Sequence, residues 1–433
     1  MRSLGIALLG CGNVGSAVAR MLHEHADDIE RRAGVPIEVA GVFVRDPGRA
    51  RAVPVAAGRF GTDGHALIED PSVAVVVEVM GGIEPARGLI LEALGAGKPV
   101  VTANKELLAT HSQELFDAAA SGGTDILYEA AVGGGIPLIR PLREHLAGDR
   151  IARFMGIVNG TTNFILTRMS EDGLTANDAL AEAQHLGYAE ADPTADVEGF
   201  DAAAKAAILA SIAFDLPVVA GDVHREGIAG ITAEDVAYGR QLGYVVKLLA
   251  VADAVDDGIN VRVHPSLIPA DHPLAAVRDS FNAVFIEGER VGPLMLYGRG
   301  AGGDPTATSV VGDVIELARS GPAGGSKRTP RAAVRHARLA GGVRPIDELR
   351  SQYYLRLEVA DRAGVLAAVA SVFAHHDVSI KSVRQEGHGA EAQLVLVTHQ
   401  ARERDLAACV RDLQGLDAVE SVGSVIRVVA GEP

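Results

Sequence analysis

Short apolar runs alternate with amphipathic segments over the N-terminal third of the chain. The runs have the length of strands and are rich in β-branched residues, and they cover Leu4–Leu9, Ile37–Val44, Val73–Val79, Lys98–Thr102 and Asp125–Tyr128. Predicted helices separate them, at Ser16–His25, at Pro85–Ala96 and from about Lys105. Strands separated by helices are typical of a parallel sheet covered on both faces, so a doubly wound, Rossmann-type α/β domain is predicted.

A glycine-rich turn follows the first predicted strand. Gly10, Gly12 and Gly15 have the spacing G-x-G-x-x-G and directly precede the first helix. Such a turn brings the backbone close to a pyrophosphate, whose charge the helix N-terminus stabilises. The motif in this context predicts a dinucleotide site that also includes Asn13 and Val14, and the alternative is a turn that only packs.

The end of the second predicted strand bears on the choice of cofactor. A NAD-binding fold usually carries an acidic residue here for the ribose hydroxyls, whereas this strand ends in Arg45, followed by Asp46. Arg45 is suited to a 2′-phosphate, so we expect NADP(H) to be preferred, with NAD(H) possible. The alternatives are a solvated Arg45 or ribose binding by Asp46.

Two lysines stand out in positions that suit chemistry. Lys105 begins a helix at the ligand edge of the predicted sheet, where its charge opposes the helix dipole. Asp201 and Lys205 lie four residues apart on a predicted helix and therefore share one face. Alanines surround Lys205, which predicts a buried lysine with a tunable pKa rather than a surface ion pair. The acidic residues that precede it could alternatively hold a divalent metal ion.

Six motifs occur in the order in which they occur in the homoserine dehydrogenase family, which the chain resembles over residues 1 to about 320. They are "GCGNVG", "TANKELLA", "YEAAVGGGIP", "NGTTNFIL", "LGYAEADPTADVEGFDAAAK" and "GRGAGGDPTATSVVGD". The resemblance implies reversible reduction of L-aspartate 4-semialdehyde to L-homoserine with NAD(P)H. That reaction belongs to the biosynthesis of threonine, methionine and isoleucine.

The resemblance also implies roles for individual residues. Lys205 and Lys105 would be the paired catalytic lysines, with Asp201 beside Lys205. Glu190 would bind the substrate amino group, and the rest of the implied pocket wall is Asn159, Gly160, Thr161, Tyr188 and Asp196. The implied cofactor contacts, beyond the glycine turn and Arg45, are Lys105 and Gly302. The implied loop for a monovalent cation such as Na⁺ offers the backbone carbonyls of Glu129, Val132, Gly134 and Ile136.

The C-terminal region predicts a separate small domain. Residues 321–350 are rich in Gly, Pro and Arg, which is typical of a linker, the alternative being a nucleic-acid patch. Residues 351–430 predict a βαββαβ order that resembles a ferredoxin-like ACT domain, with "DRAGVL" and its Gly364 as the ligand loop. The resemblance implies regulation by an amino acid, for which we expect L-threonine. The alternative is a dimerisation module without a ligand.

The predicted domains are therefore a dinucleotide-binding domain at 1–131 with a return segment at 303–320, a linker and a regulatory domain. Residues 132–302 would form an inserted α+β substrate and dimerisation domain, in a homodimer or homotetramer.

Composition narrows the class of protein further. The 433 residues carry a net charge of −16, which disfavours a nucleic-acid partner, and no run suits export or a membrane span. The two cysteines, Cys11 and Cys409, are far apart in the sequence, which favours the cytoplasm. The alternative functions are another amino-acid-pathway dehydrogenase of the same fold and a non-catalytic NADP(H)-sensing regulator, which would not need Lys205.

Overall fold

The computed structural model describes residues 3–320, 341–387 and 392–429, so residues 321–340 of the predicted linker lie outside the described residues. Residues 3–151, 207–222 and 288–320 form one compact unit. Residues 152–206, 223–287, 341–387 and 392–429 form the other. In these ranges no helix has both the length and the apolar character needed to cross a membrane.

The strands and helices follow one another with short connections. The strands of the first half are β1 (Leu4–Leu9), β2 (Ile37–Phe43), β3 (Phe60–Gly61), β4 (Val73–Glu78), β5 (Val100–Thr102), β6 (Ile126–Leu127) and β7 (Ile151–Ile157). The later strands are β8 (His224–Arg225), β9 (Tyr244–Val255), β10 (Gly258–Pro269), β11 (Phe281–Gly288), β12 (Gly292–Arg299), β13 (Arg350–Val359), β14 (Ile380–Glu386), β15 (Gln393–Thr398), β16 (Ala401–Arg402) and β17 (Val419–Val428).

The α-helices lie mainly between the strands of the first half. The earlier ones are α1 (Asn13–Glu24), α2 (Ala26–Ala33), α3 (Gly64–Glu69), α4 (Ala86–Gly95), α5 (Lys105–Ser121), α6 (Gly160–Asp172) and α7 (Ala176–His185). The later ones are α8 (Thr194–Val197), α9 (Phe200–Ala213), α10 (Ala233–Gln241), α11 (Gly303–Ser320), α12 (Val365–His375) and α13 (Glu403–Gln414).

The first unit contains a six-stranded parallel sheet in the order β3-β2-β1-β4-β5-β6. Every residue of β1 is buried, as expected of a strand covered on both faces. The carboxyl ends of four strands lie level, since Leu9 pairs with Phe43 and with Glu78, and Glu78 pairs with Thr102. The predicted doubly wound domain is confirmed, and residues after these strand ends share one edge.

The return segment predicted at 303–320 is a single helix of the first unit. α11 packs against α1, and its residues Val310 and Val314 belong to the same apolar core as Leu4 and Leu8 of β1. The chain thus comes back to complete the layer of helices on this sheet.

The second unit contains a mixed sheet in the order β11-β7-β9-β10-β17-β13-β15-β14. Its last four strands, with α12 and α13, have the βαββαβ order predicted for the C-terminal region, and their own apolar core includes Tyr353 and Phe373. Strand β17 continues the sheet by pairing in parallel with β10, where Ser266 and Leu267 face Arg427 and Val428. The C-terminal domain is therefore joined to the inserted domain by backbone hydrogen bonding.

A buried ion pair reinforces this joint. Asp235, on α10, has no exposed surface and accepts a hydrogen bond of 2.9 Å from Nε of Arg356, on β13. Its other oxygen accepts hydrogen bonds from Ser424 Oγ at 2.6 Å and from the Thr232 backbone N–H at 3.0 Å. Removing one member of such a pair typically costs about 3–5 kcal/mol, because the other charge stays buried.

Candidate active site

The glycine turn has the geometry that the sequence predicts. Gly10 has a φ of +104°, and its N–H donates to the Phe43 carbonyl at 3.0 Å. A Cβ at Gly15 would lie 2.2 Å from the Gly10 carbonyl oxygen, so no side chain fits there. A Cβ at Gly12 would meet no atom within 4 Å, which leaves open space over the N-terminus of α1, where Asn13 and Val14 begin the helix. This space is where a pyrophosphate binds in such folds.

Arg45 lies two residues after β2, at the same edge of the sheet, and its side chain is exposed. The neighbouring Asp46 uses Oδ1 to accept a hydrogen bond of 2.9 Å from the Gly48 N–H, which closes a local turn. The carboxylate of Asp46 is thus engaged by its own loop, whereas the guanidinium of Arg45 faces solvent.

A buried carboxylate that the sequence analysis missed organises the next part of this edge. Glu78 ends β4 with no exposed surface, and Oε2 accepts a hydrogen bond of 2.6 Å from Thr102 Oγ1. Its Oε1 accepts from the Met80 N–H at 2.7 Å, and burial raises the pKa of Glu78. The sequence did contain a signal for this residue, because Glu78 is an acidic residue at the carboxyl end of an otherwise apolar strand.

Lys105 begins α5 at the end of β5. The N-cap of that helix is Asn104, whose Oδ1 accepts from the Leu107 N–H at 3.1 Å and whose Nδ2 donates to the Gly82 carbonyl at 2.7 Å. Because the Asn104 side chain contacts both the first turn of α5 and the loop after β4, the backbone that carries Lys105 is fixed at the ligand edge of the sheet.

The second unit brings three predicted residues, Asp201, Asn159 and Asp196, together around Lys205. The Lys205 Nζ donates to Asp201 Oδ2 and to the Val158 carbonyl, each at 2.7 Å. The Asn159 Nδ2 bridges two carboxylates, donating to Asp201 Oδ2 at 2.9 Å and to Asp196 Oδ1 at 2.6 Å. Lys205 is buried, as predicted, and this network holds its ammonium in one position.

The local fold explains why these side chains meet. Strand β7 ends at Ile157, and Asn159 then caps α6 by accepting from the Thr162 N–H at 2.8 Å. A Cβ at Gly160 would lie 2.7 Å from the Ser280 carbonyl oxygen, so only glycine allows this helix to start where it does. The Asn-Gly-Thr-Thr motif therefore places an amide beside the Asp201 carboxylate.

Two further predicted pocket residues, Tyr188 and Glu190, lie on the connection between α7 and α8, and Thr161 lies on α6. Thr161 Oγ1 donates to the Tyr188 carbonyl at 2.7 Å, and the Tyr188 ring packs on Phe164 with centroids 5.1 Å apart. Glu190 is exposed, and its backbone carbonyl accepts from Gln184 Nε2 at 3.0 Å. Among the described residues, no hydrogen bond joins the Glu190 carboxylate to Lys205.

The predicted cation loop is a buried turn of the first unit. The Glu129 carboxylate accepts from three successive N–H groups, those of Leu138, Ile139 and Arg140, at 2.6, 2.8 and 2.8 Å. That side chain is therefore occupied by the backbone, and only carbonyls such as those of Val132 and Ile136 fit the predicted role.

Gly134 shows how closely this loop packs. Its φ is +55°, and a Cβ would lie 2.6 Å from the Gly300 carbonyl oxygen. Its own carbonyl accepts a hydrogen bond of 2.6 Å from Ser309 Oγ, on α11. Gly302, in the adjacent "GRGAGG" turn, has a φ of +116° and directly precedes α11. The loop and the turn thus depend on glycine for their conformations.

Asp313 is a second buried acid that the sequence analysis missed. Its Oδ2 accepts from the Glu129 N–H at 2.9 Å, and its Oδ1 accepts from Arg140 at 2.7 Å. Burial is the largest cause that raises the pKa of Asp313 to about 7, and the nearby Glu129 charge acts in the same direction. No cluster of three or more His, Cys, Asp or Glu side chains suited to a metal ion occurs in the described part of the chain.

Comparison with known proteins identifies the family to which these domains belong. Residues 10–129 match the family model of the homoserine dehydrogenase NAD-binding domain, residues 137–315 match that of homoserine dehydrogenase, and residues 353–418 match that of the ACT domain. The homoserine dehydrogenase of Corynebacterium glutamicum is 50% identical over 431 residues, which is 98% of this chain and 96% of the relative.

Solved structures of homoserine dehydrogenases are also similar to this chain. The homoserine dehydrogenase of Thiobacillus denitrificans superposes with a TM-score of 0.93 at 41% identity, covering 99% of this chain and 98% of that chain. A hyperthermophilic archaeal homoserine dehydrogenase mutant, solved in complex with NADPH, has a TM-score of 0.61 at 31% identity and covers 72% of this chain and 97% of its own. The chain therefore belongs to the homoserine dehydrogenase family of NAD(P)-binding oxidoreductases and carries a C-terminal ACT domain.

Proposed function

We propose that Lys205 is the proton donor and acceptor in the reversible conversion of L-aspartate 4-semialdehyde to L-homoserine. The observation that carries this proposal is the fixed, buried ammonium, with one proton directed to Asp201 and one to the Val158 carbonyl. The third proton is left for the substrate oxygen. An ammonium group that hydrogen bonds hold in place, and that is largely shielded from water, is suited to general acid–base catalysis.

The nicotinamide supplies the hydride that reduces the aldehyde carbon when the cofactor is bound. Reduction places negative charge on the substrate oxygen. The Lys205 ammonium stabilises this charge as it develops and then donates a proton to it, which leaves Lys205 as the neutral amine and the substrate oxygen as a hydroxyl. In the oxidative direction Lys205 accepts the hydroxyl proton. Asp201 keeps the lysine in place, and Asn159 in turn orients Asp201.

The other residues have supporting roles in this proposal. Lys105, the second lysine implied by the family resemblance, starts α5 at the ligand edge of the sheet, where a cation can stabilise developing negative charge. Glu190 is exposed and carries a charge that suits the substrate ammonium. The remaining contacts are assigned to Asn159, Gly160, Thr161, Tyr188 and Asp196.

For the cofactor, we propose that NADP(H) is preferred over NAD(H). The exposed Arg45 supports this, since its guanidinium can bind a 2′-phosphate with charge-assisted hydrogen bonds. Asp46, the alternative ligand for the ribose, is engaged by Gly48. The archaeal relative solved with NADPH is in keeping with the same choice.

A monovalent cation such as Na⁺ fits the loop at residues 129–136. Such ions prefer oxygen ligands, and the turn offers backbone carbonyls from Glu129, Val132, Gly134 and Ile136 while the Glu129 carboxylate is engaged by three N–H groups. We assign the ion a structural role, which is to hold this loop against the turn that contains Gly302.

For regulation, we propose that L-threonine binds the ACT domain at the loop that contains Gly364 and inhibits the enzyme, in a homodimer or homotetramer. Gly364 has a φ of +93° and is the N-cap of α12, so the loop presents the N–H groups of a helix start. An amino-acid carboxylate is stabilised at such a position. The supporting observation is that the ACT domain shares a continuous sheet with the inserted domain.

The test is a turnover assay of the full-length protein. L-homoserine is supplied with NADP⁺ or NAD⁺, and the reduced nicotinamide is followed by its absorbance with and without L-threonine. We expect turnover with both cofactors, a higher kcat/KM with NADP⁺, and inhibition by threonine. Failure to oxidise homoserine with either cofactor would contradict the proposed reaction.

A further inference from the structure

The second unit contains a cavity whose lining includes neither Lys205 nor Asp201, Asn159 or Asp196. Its volume is about 590 Å³, which is within the range of small-molecule sites. Its walls include residues of β7, β9 and β10 of the inserted domain and of β13, β16 and β17 of the ACT domain. It thus sits at the joint where β17 pairs with β10.

Arginine dominates the lining of this cavity. Three acidic residues line it, Asp253, Asp256 and Glu348, against six arginines, Arg153, Arg262, Arg350, Arg402, Arg404 and Arg427. The protein as a whole has a net charge of −16, so this concentration of positive charge is a local feature of the joint.

The arginines at the base of the cavity are neutralised by the protein itself. Arg427 is 5% exposed and donates to Glu226 at 2.8 Å and to Glu403 at 2.7 Å. Arg262 is also buried and donates to Asp253. Burial, Arg427 and Arg262 together hold the pKa of His264, which lies in the same wall, well below its usual value. The charges of the arginines at the base are therefore compensated within the protein.

The arginines at the mouth are arranged differently. Arg350 on β13 and Arg402 on β16 face each other in the register of an antiparallel pair, and both are exposed. Like charges directly opposite each other on neighbouring strands are destabilising. No ion pair to either guanidinium is found within the described ranges. An anion between them would remove the repulsion.

We propose that this cavity binds a small metabolite carrying at least two negative charges, supplied by carboxylate or phosphoryl groups. The planar guanidinium binds both groups in bidentate fashion, which explains arginine rather than lysine at the mouth. The volume admits a molecule larger than a single inorganic ion. The site is separate from the threonine site proposed above, because residues 361–366 do not line it, so this inference goes beyond the proposed function.

Binding here would act on the joint between the two domains. The ligand would contact the ACT strands through Arg350 and Arg402. It would contact the inserted domain through β7, β9 and β10, and β7 is the strand that precedes Asn159. A ligand that binds one arrangement of this joint more tightly shifts the protein toward it.

The test uses the full-length protein and isothermal titration calorimetry with two probes, citrate for carboxylates and pyrophosphate for phosphoryl groups, at fixed ionic strength set with sodium chloride. The test variant is Arg350→Gln combined with Arg402→Gln. Both side chains are exposed, so the fold should persist, which circular dichroism checks. The matched control is Arg411→Gln, an exposed arginine on α13 that does not line the cavity.

We expect at least one probe to bind the parent protein and the control with the same Kd, and the double variant to bind about tenfold or more weakly, since a hydrogen bond to a charged group is lost at each position. Tighter binding of citrate or of pyrophosphate identifies the chemistry of the natural ligand. Equal binding by all three proteins, or no saturation of the parent by either probe below about 10 mM, would overturn the proposal. Both results are independent of homoserine turnover and of threonine.

Discussion

Lys205 and Asp201 form a buried ion pair one helical turn apart on α9, with 2.7 Å between Nζ and Oδ2 and side chains that are 10% and 6% exposed. The Val158 carbonyl, which directly follows β7, accepts a second hydrogen bond from the same ammonium, also at 2.7 Å. A lysine held at two of its protons cannot move away from its neighbours, so it acts at one point in space. This constraint is what distinguishes it from a surface lysine.

We predict that Lys205→Ala lowers kcat by about 10²- to 10⁴-fold, the usual range for removal of a general acid or base. Cofactor binding should survive, because the glycine turn and Arg45 belong to a different part of the chain. Steady-state kinetics and the fluorescence of bound NADPH measure the two quantities separately. Activity within about tenfold of the parent would show that another group transfers the proton.

A matched control for this variant is Lys247→Met. Lys247 is also a buried lysine of the second unit, 2% exposed, and donates to Asn163 Oδ1 at 2.9 Å. Its loss should reduce thermal stability without a comparable fall in kcat. If kcat fell equally in both variants, the loss of activity would follow from removing any buried lysine and would not indicate a catalytic role for Lys205.

Lys105→Ala should lower kcat to a similar extent if the second lysine stabilises developing charge on the substrate oxygen. Since Asn104 caps α5 through its own side chain, the helix start should persist in the variant. Unchanged kcat with a raised KM would limit Lys105 to binding.

The choice of cofactor rests on one exposed side chain. Arg45→Ala should weaken NADP(H) by about 10- to 100-fold, because a charge-assisted contact with the 2′-phosphate is lost, and should leave NAD(H) nearly unchanged. Dissociation constants for both reduced cofactors test this, with Arg31→Ala, an exposed arginine on α2 paired with Asp28, as the control. Equal losses for both cofactors would mean that Arg45 has only a structural role.

Much of the fold follows from local patterns in the sequence. The alternation of apolar strands with helices predicted the parallel sheet, although α1 begins at Asn13 rather than Ser16 because Gly12 already serves as its N-cap. The short β3 and α3 were missed, since a strand of two residues and a helix of six are too short to show a clear periodicity. The pairing of β10 with β17 was also missed, because it joins two edges that are far apart in sequence.

For the candidate site too, some features could be predicted from the local sequence and others could not. Asp201 and Lys205 could be paired from their spacing on one helix, and the alanines around them correctly predicted burial. The Val158 carbonyl and the Asn159 bridge depend on tertiary packing between β7, α6 and α9, which no local pattern specifies. The catalytic and binding roles themselves remain predictions.

The buried Asp313 gives a prediction for pH dependence. Its pKa is raised to about 7 from an ordinary value of 3.8, so the folded state holds a proton that the unfolded state has lost. This contribution to stability is fully present below pH 3.8 and is lost as the pH rises to about 7, by up to about 4 kcal/mol. Acid should therefore favour the fold around this residue.

Asp313→Asn isolates this effect, because asparagine can still accept the hydrogen bond from the Glu129 N–H but does not ionise. Urea unfolding of both proteins at pH 5.0 and 7.5 should show a larger advantage of the variant at the higher pH. Other titrating groups are common to both proteins and cancel. A difference that is independent of pH, or larger at pH 5.0, would contradict the role given to Asp313.

The last prediction concerns the ACT loop. Deleting residues 351–430 would expose the edge of β10 and leave the buried Asp235 without Arg356, so loss of regulation would be mixed with loss of structure. Gly364→Ala is a sharper change. At a φ of +93° any side chain is strained, by about 1–2 kcal/mol, and the strain falls on the loop that starts α12.

We expect Gly364→Ala to keep the parent kcat and to require at least about tenfold more L-threonine for half-inhibition, which is within the usual coupling of about 1–3 kcal/mol between two sites. The matched control is Gly415→Ala in the same domain, where φ is −88° and the nearest atom to a Cβ, the Asp412 carbonyl oxygen, is 3.5 Å away. The control should respond to threonine as the parent does. If all three proteins are inhibited equally, threonine binds elsewhere; if the variant alone escapes inhibition, the loop carries the signal from effector to active site.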